Sequence, residues 1–192
     1  MAKRAIILHG TGNKLTDHWL PWAKQLFEGA GYEVFMPLLP DNETPDKDKY
    51  ETFLRESGWD FIDNVLVGYS SGATTILNLL MSDWFPHARA VALVGAFLNE
   101  KLVKSASWYI PGQFDNLFLP EYKPEVIKQK ADRFYFIHGS DDPYCDIDDA
   151  KQLCQALDGT FTTIPNGGHL GILSKMTALP AMEQVLRRGG II

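Results

Sequence analysis

Asp63-Asn64-Val65-Leu66-Val67-Gly68-Tyr69-Ser70-Ser71-Gly72-Ala73-Thr74-Thr75-Ile76-Leu77-Asn78-Leu79-Leu80-Met81 reads as a strand, a sharp turn and a helix. Val65 to Val67 form a short apolar run of the buried-strand kind, whereas Ala73, Ile76, Leu77, Leu80 and Met81 recur at the spacing of one helix face. Between them lies Gly-x-Ser-x-Gly, residues 68–72. A serine on such a turn is held in strained backbone with its hydroxyl above the sheet. Crowding of strand against helix then leaves room only for hydrogen two residues to either side. At this chain's glycine and serine content, roughly 0.05 such pentapeptides arise by chance. In its strand–turn–helix setting, the motif therefore points to a nucleophilic serine and not to an incidental Gly/Ser-rich turn.

Outward from this elbow the chain keeps alternating. Residues 4–8 are a brief apolar strand, and His9-Gly10-Thr11-Gly12-Asn13 is a polar, glycine-rich loop at its carboxyl end, where open α/β sheets build their sites. The loop lacks the third glycine of a dinucleotide fingerprint, and no Gly-Lys-Ser/Thr follows it, so nucleotide readings fall. Trp19, Trp22, Ala23, Leu26 and Phe27 make a helical stripe, read as core and not as a ligand platform, that stops near Gly29 or Gly31. Strands are predicted over 32–36, 89–94, 132–139 and 160–164, and helices over 45–56, 124–131, around 150–157, and in the C-terminal region to Arg188. Such alternation implies a parallel sheet with helices on both faces, an α/β fold. Residues 1–192 are expected to form one domain. Within it, 97–120 carries Trp108, Tyr109, Phe114, Leu117 and Phe118 without clean periodicity and reads as an irregular lid or cap-like segment.

A formal net charge of −6 gives no electrostatic footprint for nucleic acid or an anionic membrane, so neither is an expected partner. Residues 65–82 lack charge, yet Gly68, Ser70, Ser71, Gly72 and Asn78 interrupt them, which suits strand plus helix and not a membrane span. Cys145 and Cys154 match no zinc spacing, and Ala5-Ile6-Ile7-Leu8 is too short for a signal h-region. Reduced thiols and a cytoplasmic location are expected, with no metal and no cofactor.

A serine hydroxyl needs an imidazole to take its proton and a carboxylate to hold that imidazole in the right tautomer. For the hydrolase arrangement to which a Gly-x-Ser-x-Gly elbow belongs, the order must be Ser, then Asp or Glu, then His, each on a loop after a strand. Ser70, Asp142 and His169 satisfy the order and the placement. Asp141 stands beside Asp142, and adjacent residues of an extended turn cannot both point inward, so the residues alone leave that choice open. The oxyanion would be held by the N–H groups of Ser71 and Thr11, with Gly12 the alternative to Thr11. Tyr69, Trp108, Tyr109 and Phe114 are candidate substrate-wall residues, and aromatic walls favour small, uncharged acyl groups.

His9-Gly10, Gly68-Tyr69-Ser70-Ser71-Gly72, Gly139-Ser140-Asp141-Asp142-Pro143-Tyr144 and Gly168-His169 together resemble an α/β-hydrolase. His18-Trp19-Leu20-Pro21-Trp22, Met36-Pro37, Pro40-Asp41 and the short chain narrow the resemblance to the retinoblastoma-binding protein 9 (YdeN-like) family of small serine hydrolases. That resemblance implies a compact α/β-hydrolase core of six parallel strands in the order 2-1-3-4-5-6, with Ser70 as nucleophile, Asp142 as acid and His169 as base. It also implies hydrolysis of small carboxylic esters, or of thioesters or amides, through an acyl-Ser70 intermediate without a cofactor. The chain departs from the family pattern at Cys145-Asp146, where Val-Pro is usual, and neither cysteine lies in a Leu-x-Cys-x-Glu motif, so the family's name-giving protein interaction is not carried over. The competing expectation is a non-catalytic protein-binding module on the same scaffold. A complete Ser, Asp, His set argues against it.

Overall fold

The structure, a computed structural model, describes residues 2–171 and 174–192. Its main elements in chain order are β1 (Lys3–Leu8), α1 (Leu20–Gly29), β2 (Tyr32–Phe35), α2 (Lys47–Glu56), β3 (Val65–Tyr69) and α3 (Ser71–Met81). They continue as β4 (Ala90–Val94), α4 (Pro124–Ile127), β5 (Phe134–Gly139), α5 (Ile147–Ala156), β6 (Thr160–Ile164) and α6 (Pro180–Arg188). The strands form one six-stranded sheet in the order β2-β1-β3-β4-β5-β6, every neighbouring pair parallel, which is the order the resemblance implied. Among the described residues no helix is long and apolar enough to cross a membrane.

The three central strands are buried along their whole length, which is why they read as nearly unbroken apolar runs and not as an alternating pattern. Their side chains alternate between two core layers. On one face Ile6, Leu66, Leu93 and Phe136 meet Tyr50, Leu54, Ile76, Leu77, Leu80 and Leu153 from α2, α3 and α5. On the other, Ile7, Val67, Ala92 and Ile137 meet Leu20, Ala23 and Phe27 of α1 and Met182 and Leu186 of α6. Trp19, which caps α1, is fully buried in the second layer, as its stripe demanded. At the edge, β6 is partly exposed and correspondingly rich in threonine.

Two boundaries differ from the sequence reading for local reasons. Helix α2 begins at Lys47 because the Asp46 carboxylate accepts the N–H groups of Asp48 and Lys49, an N-cap placed just after Pro45. Helix α4 gives way to a 3₁₀ turn over Lys128–Lys130, since Ala131 must become extended to bridge Ala88 at the start of the next strand pairing. Residues 97–120 hold a 3₁₀ turn, Val103–Ser105, within otherwise irregular backbone, packed around a small core of Phe97, Val103, Phe114, Leu117 and Cys145. The segment is tied to α3 near both ends: Thr74 Oγ1 donates to Phe97 O at 2.7 Å, and Asn78 Nδ2 to Leu117 O at 2.7 Å.

The elbow explains the glycines that flank it. Ser70 adopts φ 56°, ψ −123°, and its N–H donates to Val94 O at 2.9 Å, fixing the turn to β4. A Cβ on Gly72 would lie 2.5 Å from His9 O and nearer still to Leu8 O, and one on Gly68 would lie 2.6 Å from Ala73 Cα. These neighbours are backbone and cannot swing away. Gly72→Ala is expected to cost about 3 kcal/mol or more by overpacking, lowering Tm by roughly 6–12 °C for a chain of this size. Gly29→Ala, which meets open space at the end of α1, should be neutral or slightly stabilising. Thermal denaturation followed by circular dichroism would separate the two, and equal Tm values would show that close approach does not select Gly72.

Candidate active site

The carboxyl ends of β1, β3, β5 and β6 bring together the loops that hold the candidate residues. His169 spans the gap between Ser70 and Asp142. Its Nε2 is 2.9 Å from Ser70 Oγ, and its Nδ1 is 2.9 Å and 3.1 Å from the two oxygens of Asp142. One tautomer satisfies all of these contacts: Nδ1–H donates to the carboxylate and Nε2 accepts from the hydroxyl. The side chain of Asp142 has no solvent exposure. Its Oδ1 also accepts the N–H groups of Tyr144 at 2.9 Å and Cys145 at 3.2 Å. Burial alone would raise this carboxyl's pKa, but the hydrogen bond and charge of His169 and the Tyr144 N–H outweigh it and hold the pKa below the usual value. Asp142 therefore stays ionised where the imidazole needs it.

Asp141 points the other way. Its carboxylate accepts the N–H of Gly168 at 2.8 Å, and Ser140 Oγ accepts that of Asn166 at 3.0 Å, so the two residues before Asp142 fasten the loop that carries His169. The two loops abut at Gly139, where a Cβ would lie 2.8 Å from Gly168 N. Tyr69 completes the clamp by donating its hydroxyl to His169 O at 3.0 Å, its ring 5.4 Å from the imidazole. Burial, reinforced by the Asp142 charge, pushes the Tyr69 phenol far above its ordinary range, which leaves it a fixed donor.

The first loop supplies the amides. Among the described residues neither the Thr11 nor the Ser71 N–H has a protein acceptor, and Ser71, as the first residue of α3, stands where a helix leaves its N–H unpaired. Gly12, the alternative donor, is committed to Asn42 O at 3.0 Å. Thr11 Oγ1 donates to Ser71 Oγ at 2.9 Å, holding the two amide-bearing residues side by side. His9, buried and with its pKa lowered mainly by that burial, accepts the Leu39 N–H at 2.9 Å through Nε2 and donates from Nδ1 to Gly10 O at 2.8 Å. It is a structural pin for this loop.

A cavity of about 330 Å³ opens onto Ser70 and His169. Of the four candidate wall residues, Tyr69 and Trp108 line it and Tyr109 and Phe114 do not. Phe114 is buried against Phe97 at 5.4 Å between ring centroids, while Tyr109 stacks outside it and donates its hydroxyl to Glu100 at 2.8 Å. An aperiodic aromatic segment has to bury some of its rings under itself, and from this segment Trp108, Ile110 and Gln113 line the cavity. The sequence reading missed His18, Glu43, Ile110, Gln113 and Tyr144, which also face the cavity. Tyr144 could have been inferred from its place directly after the acid, where its ring meets the imidazole edge-on at 5.1 Å and its hydroxyl accepts from Trp108 Nε1 at 3.0 Å. Burial is the main cause of the lowered pKa of His18, which sits at φ 51° beside Asn13.

Residues 5–188 match the family described as Serine hydrolase. The chain is 24% identical to the Bacillus subtilis (strain 168) protein YdeN over 97% of its own length and 95% of that protein's. Its structure is similar to the crystal structure of the B. subtilis ydeN gene product, with a TM-score of 0.85 at 23% identity and 97% of each chain covered. A more distant likeness is the esterase domain of a Rhodothermus marinus protein, with a TM-score of 0.65 at 16% identity over 97% of this chain and 87% of that one.

The geometry ranks the two adjacent acids. Asp142→Asn should slow acylation of Ser70 by a fluorophosphonate probe about 10⁴-fold, because the amide stabilises the wrong tautomer. Asp141→Asn leaves the imidazole's partner in place and should cost no more than about tenfold through a loosened histidine loop. Pseudo-first-order labelling rates measure both, and the reverse ranking would move the acid by one residue.

Proposed function

This chain belongs to the serine hydrolase family, and on that premise we propose that it cleaves small, uncharged carboxylic esters through an acyl-Ser70 intermediate. The observation that carries the reading is the imidazole of His169 set 2.9 Å from Ser70 Oγ and 2.9 Å from Asp142 Oδ2 at the mouth of an apolar-walled cavity. As Ser70 Oγ attacks the ester carbonyl, His169 Nε2 takes the hydroxyl proton, and Asp142 stabilises the imidazolium that forms. The carbonyl oxygen, now an oxyanion, is received by the Thr11 and Ser71 amides, neither of which has a protein acceptor among the described residues. His169 then returns the proton to the departing alkoxide. A water molecule repeats the sequence in the same site, releasing the carboxylic acid and restoring Ser70. Thioesters and amides would follow the same path with a different leaving group.

Substrate size follows from the cavity. Its roughly 330 Å³ is near the lower end of the ~300–1,000 Å³ range of small-molecule sites. Its wall is built from Tyr69, Trp108, Ile110 and Tyr144, which bind an acyl group by area burial. Among the described residues no lysine or arginine lines it, so an anionic acyl group would enter without a lysine or arginine counter-charge.

In a p-nitrophenyl ester series we expect kcat/KM to rise through short acyl chains and to fall beyond about eight carbons, as added methylenes outgrow the wall. Ser70→Ala should abolish turnover and fluorophosphonate labelling while leaving Tm nearly unchanged. Rates that climb steadily to palmitate would contradict the short-pocket reading, and an unlabelled, folded parent protein would favour a binding module on the same scaffold.

A further inference from the structure

His138 lies beside Asp142 and takes no part in the chemistry above, and its environment is unusual. It lies in β5 without solvent exposure, its ring stacked on Phe161 at 5.4 Å. Among the described residues neither of its ring nitrogens has a hydrogen-bond partner. A buried polar group left unpaired costs about 1–3 kcal/mol, so an imidazole orphaned at both nitrogens calls for an explanation. Burial lowers its pKa to about 4, so the ring is neutral and carries a free lone pair.

Beside that lone pair stand a carboxylate and a thiol. One donor atom each from His138, Asp142 and Cys145 lie within 4.8 Å of one another. Cys145 is buried, its S–H donating weakly to Gly95 O at 3.0 Å, and its sulfur is 3.7 Å from His169 Nδ1. We propose that His138, Asp142 and Cys145 form an inhibitory site for a borderline-soft divalent cation, Zn²⁺ or Cd²⁺, which takes the Asp142 carboxylate away from His169.

The donor set selects the class of ion. One imidazole nitrogen, one carboxylate oxygen and one sulfur suit zinc and cadmium and not the hard cations Mg²⁺ and Ca²⁺. Zinc bonds of ~2.0–2.3 Å at tetrahedral angles place such donors roughly 3.5 Å apart, so atoms already within 4.8 Å reach a shared ion by small side-chain shifts. On binding, the Cys145 S–H bond breaks, its proton leaves to solvent and a sulfur–metal bond forms. Nothing is oxidised or reduced. A coordinated Asp142 no longer fixes the His169 tautomer, so Ser70 loses its base. All three donor side chains are shielded, so the ion enters as the 140–145 loop opens and inhibition develops with time after mixing. The sequence offered the pattern His138-x₃-Asp142-x₂-Cys145, which is invisible when only cysteine spacing is counted.

The inhibitory half of this inference rests on the proposed esterase activity, and the binding half does not, so each needs its own readout. The full-length protein is titrated with Cd²⁺ while the thiolate-to-metal ultraviolet absorption is followed. Separately, it is preincubated with Zn²⁺ and assayed on p-nitrophenyl acetate, every variant being compared with its own metal-free rate. We expect one Cd²⁺ per chain with a thiolate band, and progressive loss of turnover with Zn²⁺ but not with Mg²⁺. Cys145→Ser should remove the band, and both Cys145→Ser and His138→Phe should raise the half-inhibitory Zn²⁺ concentration by more than the ~10–100-fold that loss of an outer-shell partner costs. Cys154→Ser, which alters the other free cysteine, should change neither readout. A band that survives in Cys145→Ser, no band in the parent protein, or Zn²⁺ inhibition unchanged in both site variants would overturn the proposal. Should the protein prove to hydrolyse no ester, the cadmium band alone still decides whether the site exists.

Discussion

The close approach of α3 to the end of β1 at Gly72 is the constraint on which the site depends. With only hydrogen between the helix and the carbonyls of Leu8 and His9, the first turn of α3 sits directly against the loop that follows β1. Packing therefore sets Ser70, the Ser71 amide and the Thr11 amide in one place, and the Thr11–Ser71 hydrogen bond holds the pair there. The strained Ser70 backbone, φ 56°, is maintained from the other side by its N–H bond to Val94. Strain of this kind persists only where its surroundings over-determine it, and here β1, β4 and α3 all do so.

A second set of contacts works at longer range in sequence. The loops after β5 and β6 bond to each other through Asp141 and Ser140 before either reaches the serine, so His169 arrives already oriented. Asp142 is left free to face the imidazole, and the hydrogen bond and charge of His169, helped by the Tyr144 N–H, keep it charged despite its burial. Adjacent aspartates thus divide the work: one faces out and fastens the loop, the other faces in and fixes the tautomer.

The fold and the convergence of Ser70, Asp142 and His169 were legible in the sequence for different reasons. Central strands buried on both faces announce themselves as apolar runs, and Gly68 and Gly72 are steric requirements visible as letters. The order Ser70, Asp142, His169 is likewise a property of the chain. Which of Asp141 and Asp142 faces inward is a matter of loop path, and without the family resemblance the residues left it open. Residues 97–120 were opaque for a related reason. Trp108, Tyr109 and Phe114 are alike as letters, yet Phe114 fills a small core, Tyr109 turns to Glu100, and only Trp108 reaches the cavity. Wall residues such as Glu43 and Gln113 come from separate loops that meet in space, where the Gln113 side-chain amide donates to Glu43 O at 2.6 Å. No local pattern encodes that meeting.

The account turns on a covalent intermediate at one hydroxyl, and trapping it is the most direct measurement. Rapid acid quenching of the protein mixed with p-nitrophenyl acetate, followed by proteolysis and mass spectrometry, should find one acetyl group on the peptide that carries Ser70, formed within the first turnover. Steady ester turnover with no acyl adduct, or with the adduct on a residue other than Ser70, would contradict it.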